Sequence, residues 1–164
     1  MVKTQMGEYL VGAYLKLICN CDFVEYNVRP PELGLKGLQE FDIIGLNLKT
    51  KTTYICEATT HIQGVLYGSY ENTVKKIKQK YLNQKSYAKN HLGEFKYFHY
   101  MFWSPRVPIG KLSKALMEID GLELIINENY TNKVDQLKQK AKVIKKDIGN
   151  PFFRTLQILA HLRR

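Results

Sequence analysis

The chain has 164 residues, 45% of them apolar and 24% charged, the balance of a soluble domain long enough to bury a core. No apolar run is long enough to span a bilayer and the N-terminus lacks a signal-peptide pattern, so no membrane partner is expected; three scattered cysteines without a disulfide framework make a cytoplasmic location the expectation. The net charge of +10 is uneven: residues 1–73 hold six Lys/Arg against eight Asp/Glu, and residues 74–164 hold nineteen against seven. An excess of cations on one half fits a polyanionic partner.

Residues 3–19 read as a helix, because Met6, Leu10, Ala13, Tyr14 and Leu17 recur at helical spacing; Thr4 is the expected cap. Glu8 borders that stripe, and Gly7 and Gly12 permit close backbone approach. Cys19 and Cys21 have no second ligand pair at zinc spacing, so they and Cys56 read as reduced thiols. Residues 22–29 read as a strand ended by Pro30 and Pro31, and residues 31–37 as a glycine-containing loop. Residues 41–48 and 53–61 form a hairpin across a short polar connection.

A second loop, with Gly64 and Gly68, leads to a long basic helix over residues 71–90, with Val74, Ile77, Tyr81, Gln84 and Ala88 on its buried stripe. The aromatic residues 96–103 read as a strand buried on both faces, although such a run can also stack on bases. A short helix (111–119), a strand (122–127), a basic amphipathic helix (132–148) and a final helix from Pro151 to residue 162 follow. That last helix is apolar enough to seal the core or to form a dimer interface. The expected class is α/β, a mixed sheet flanked by helices in one domain spanning residues 1–164.

Two acids lie inside apolar strand runs, Asp42 and Glu57, where a carboxylate is costly to bury without a partner. A two-residue turn that pairs Lys49 with Thr52 sets Asp42 opposite Thr59 and diagonal to Glu57, with Glu57, Thr59 and His61 on one face. Two carboxylates so placed suggest a divalent metal site, and an acidic site on a basic chain points to hydrolysis of nucleic acid. His61 could carry a proton there, but a histidine at a strand end is more often an ordinary surface residue.

Glu8 in a first helix, Asp42 on the second strand and Glu57-Ala58-Thr59 on the third resemble the PD-(D/E)XK nuclease superfamily, which has a restriction endonuclease-like αβββαβ core. The resemblance covers residues 5 to about 105. It implies a metal-dependent deoxyribonuclease of restriction or repair type. Mg²⁺, or Mn²⁺, would be held by Asp42, Glu57, the Ala58 carbonyl and Glu8. It also implies a DNA substrate and makes a homodimer plausible. The chain departs from the family at the motif lysine, which is Thr59. Either a lysine on the following helix, Lys80 first and Lys76 second, replaces it, or the domain is an inactive module that binds nucleic acid or a partner. Gln84 and Tyr87 also resemble helix residues that some branches place near the site.

Overall fold

The computed structural model describes residues 3–30 and 40–163, so the loop expected at residues 31–37 lies outside the described residues. The elements run α1 (Met6–Leu17), β1 (Phe23–Val28), β2 (Phe41–Asn47), β3 (Thr52–Ala58), α2 (Tyr70–His91), β4 (Tyr97–Ser104), α3 (Lys111–Met117), β5 (Leu122–Ile126), α4 (Asn127–Val143) and α5 (Pro151–Ala160). The order is the expected one. The five strands form one sheet in the order β1-β2-β3-β4-β5. Its first two pairings are antiparallel, and β3–β4 and β4–β5 are parallel.

The parallel pairings require crossovers, which α2 and α3 supply on one face of the sheet. There Ile77, Tyr81, Leu112 and Leu116 pack on Phe102 and Ile126. On the opposite face Leu10, Val11 and Leu15 of α1, Leu137 of α4 and Phe153 of α5 pack with Ile43, Cys56, Met101 and Trp103. Sheet residues therefore divide between two cores by simple alternation, which is why the central strands read as continuous apolar runs.

Local chemistry corrects the bounds of two helices. The cap of α1 is Gln5, whose backbone N–H donates to Glu8 Oε2 at 2.9 Å. Thr4 instead accepts a hydrogen bond from Asn27 Nδ2 of β1 at 3.1 Å. Helix α4 starts five residues before the expected position because β5 runs straight into it: Asn127 turns the chain with φ 51 and accepts the Val107 N–H at 2.8 Å. The helix also ends at Val143, five residues before the expected end at residue 148, because Ile144 turns extended with ψ 115. In α5 Phe153 seals the core while Ile158 and Leu159 stay exposed. All three cysteines are free thiols, two of them buried.

The expected close approach at the glycines of α1 is present. A Cβ at Gly7 would lie 2.4 Å from Thr60 Cγ2, and one at Gly12 would lie 1.9 Å from Tyr26 Oη. The Tyr26 hydroxyl in turn meets Asn150, which caps α5 by accepting the Phe153 N–H at 2.9 Å. Gly12→Ala is expected to cost about 1–3 kcal/mol by overpacking. Its melting temperature should fall, and Tyr26→Phe, which removes the clashing oxygen, should restore part of the loss. A Gly12→Ala protein as stable as the parent would refute this contact.

Candidate functional site

The site forms where β2 begins and β3 ends. Pairing of Ile43 with Cys56 and of Asn47 with Thr52 sets Asp42 directly opposite Glu57, one step further along the same register. The expected two-residue turn is wrong. The loop has four residues: the Asn47 side chain accepts the Thr50 N–H at 3.0 Å, and Lys51 takes φ 55. The register therefore shifts by two residues, which preserves the face and brings the acids closer than a diagonal pair. Asp42 Oδ2 accepts the Ala58 N–H at 2.8 Å, which ties it to the end of β3.

Glu57 is buried, and Lys80 reaches it from α2 to form an ion pair with Oε2. Lys80 lies three residues after Ile77 and four before Gln84, at the border of the buried stripe, so a long side chain can extend over the sheet. Burial, the Asp42 charge and a hydrogen bond between the two carboxyls push the Glu57 pKa up to about 8, against the pull of Lys80. For Lys80, burial favours the neutral amine, but the Glu57 and Asp42 carboxylates outweigh it and raise the pKa. Glu57 is thus a weaker acid than an ordinary carboxyl, and the ammonium of Lys80 is the cation nearest to it.

The other expected site residues divide. Glu8 is buried at the first turn of α1, spends Oε2 on the Gln5 N–H, and has its pKa raised by burial and, to a smaller extent, by Asp42. Regular β3 structure ends at Ala58, so Thr59 and His61 do not continue the face of Glu57. Thr59 N–H donates to the Trp103 carbonyl at 2.9 Å, and its hydroxyl oxygen accepts the His61 N–H at 3.3 Å. His61 is exposed and stands edge-on to Tyr67. Lys76 does not reach the acids; its Nζ lies 3.8 Å above the Tyr67 ring. Gln84 is buried beneath α2, and Tyr87 packs on Phe41.

Tyr67 is the site residue that sequence reasoning missed. Its pKa is raised by burial, lowered by Lys80, and raised again by Glu57 and Asp42, so its hydroxyl lies within their field. The signal was an aromatic residue between Gly64 and Gly68, with φ 115 and 80, on the loop joining the Glu57 strand to the Lys80 helix.

Among the described residues no three His, Cys, Asp or Glu side chains converge into a metal cage. Mg²⁺ commonly takes one or two carboxylates and completes its shell with water and substrate. Asp42 and Glu57 fit that donor set, because the strand register sets their hard carboxylate oxygens opposite one another on one face of the sheet. Comparison with known protein families, curated proteins and solved structures finds no match. The fold and site define an α/β protein with a five-stranded mixed sheet flanked by helices, bearing a half-buried Asp42 beside a buried Glu57 that pairs with a helix lysine. No helix among the described residues is long and apolar enough to cross a membrane.

Proposed function

We propose that this protein is a Mg²⁺-dependent deoxyribonuclease of the PD-(D/E)XK type, with a restriction endonuclease-like core formed by α1, β1, β2, β3, α2 and β4. The observation that carries the reading is the ion pair between Lys80 and Glu57. The chain lacks the lysine expected at Thr59, and α2 supplies a cation to the same carboxylate. A purely binding surface for a polyanion gains nothing from two adjacent acids, one of them buried.

Asp42, Glu57 and the Ala58 carbonyl would hold the cation. The chemistry it supplies when bound is activation of water and neutralisation of charge building on the phosphate. Lys80 orients Glu57 through Oε2 and has further ammonium donors for a phosphate oxygen. Thr59 uses its oxygen on His61 but keeps its hydroxyl hydrogen to donate. The basic half of the chain would attract the DNA backbone and weaken with salt.

The test is incubation with supercoiled plasmid in Mg²⁺, in Mn²⁺ and in EDTA. Nicked or linear product with either cation and none in EDTA is the expected result. A gel shift with no cleavage in any cation would overturn the reading in favour of an inactive binding module.

A further inference from the structure

Away from the acids, the C-terminal half of α2 and the first half of β4 bound an open groove of about 540 Å³. Its floor is aromatic. Phe95, Phe98 and Tyr100 line it, each only partly buried. The Phe98 and Tyr100 rings lie within 9° of parallel with centroids 6.3 Å apart, and Tyr81 supports Tyr100 edge-on at 5.6 Å. Its wall is cationic, formed by Lys85 and Lys89, and Lys51 lies over the Phe95 ring at 5.9 Å.

A purely apolar ligand would leave the lysines without a role, and a free phosphate would leave the rings without one. An unpaired nucleobase with its flanking phosphates uses both, through stacking and charge. In a duplex the base faces are already stacked on one another. We infer that this groove binds unpaired bases of single-stranded nucleic acid, with Phe95, Phe98 and Tyr100 as the stacking platform and Lys85 and Lys89 on the backbone.

The groove is separate from the carboxylate site. Phe98 and Tyr100 lie beside Thr53 and Ile55, while Glu57 lies beside Phe102. The rings are therefore two and four residues from the level of Glu57, roughly 7 and 13 Å along the strand. At about 100° per residue, Lys80 leaves α2 on one side of the buried stripe and Lys85 and Lys89 leave on the other. Both sites can be occupied together, and binding in the groove requires neither metal nor cleavage.

The test is fluorescence anisotropy of a labelled twelve-residue oligothymidylate in EDTA, where failure of the nuclease reading has no effect. Lys85→Glu with Lys89→Glu, and separately Phe98→Leu, are each expected to weaken binding about tenfold or more. Lys145→Glu with Lys146→Glu makes the same charge change on exposed residues elsewhere and is expected to cost less than about threefold. An abasic oligonucleotide of equal length should bind the parent and Phe98→Leu alike. Phe95→Leu, at the rim, serves as the aromatic test where Phe98→Leu does not fold. Equal losses in the two charge-reversed proteins, or parental affinity in a folded aromatic variant, would overturn the inference.

Discussion

Asp42→Asn and Glu57→Gln are each expected to reduce Mg²⁺-dependent DNA cleavage by about a thousandfold or more while making the metal-free protein more stable at pH 8. The two effects have one cause. The Glu57 pKa rises from 4.5 to about 8 on folding, chiefly through burial and then through Asp42. A raised carboxyl pKa means that the folded state keeps a proton the unfolded chain gives up. The stability it contributes is complete below about pH 4.5 and is lost as pH climbs towards 8. The loss across that window is roughly 2–4 kcal/mol, allowing for relaxation of the site.

Glutamine at position 57 cannot ionise, so that pH dependence should flatten. Asparagine at position 42 removes the like charge and should lower the Glu57 pKa. Thermal melts in EDTA at pH 5, 7 and 9 measure both effects. Mg²⁺ should raise the melting temperature of the parent most at high pH, where it replaces the lost proton, and should barely affect either variant. A Glu57→Gln protein with the parental melting profile and parental cleavage would remove the carboxylate pair from consideration.

Lys80→Met is expected to lower cleavage roughly 100- to 1000-fold, the scale for loss of one charged group that stabilises developing negative charge. Methionine keeps most of the length and apolar contact of the lysine stem, so packing on α2 should survive. Because Lys80 lowers the Glu57 pKa, its removal should raise that pKa further. The pH at which Mg²⁺ begins to stabilise the protein should therefore move upward. A role confined to packing would not move that pH. Lys76→Met provides the contrast. Its ammonium lies over Tyr67 rather than against an acid, and its loss should change cleavage by no more than a few-fold. Parental activity and an unchanged pH profile in Lys80→Met would sink the lysine assignment.

The hairpin shows how sequence patterning can identify a face and miss a register. The expected turn was too short, yet Asp42 and Glu57 still share a face, because the error was two residues and side chains alternate with period two. The expectation failed at Thr59 and His61 for a different reason. Alternation holds only while the strand continues, and β3 ends at Ala58, where the chain turns across the start of α1. The aromatic strand was half legible: Met101, Phe102 and Trp103 are buried, but Tyr97 is 60% exposed. Within the first half of β4, Phe98 and Tyr100 pack on the cluster that includes Ala88 of α2 and are only partly buried.

The sequence by itself determined the order of helices and strands and the buried stripes of α1 and α2, since those follow from periods of 2 and 3.6 residues and from caps and breakers encoded locally. Tertiary structure alone decided that Asp42 and Glu57 meet head-on and that Lys80, ranked ahead of Lys76 on sequence, reaches Glu57 while Lys76 does not. Lys80 and Glu57 are 23 residues apart, on different elements. Their meeting depends on how α2 is seated across the sheet, and that seating is set by the packing of Ile77, Tyr81 and Ala88 against residues distant in the chain.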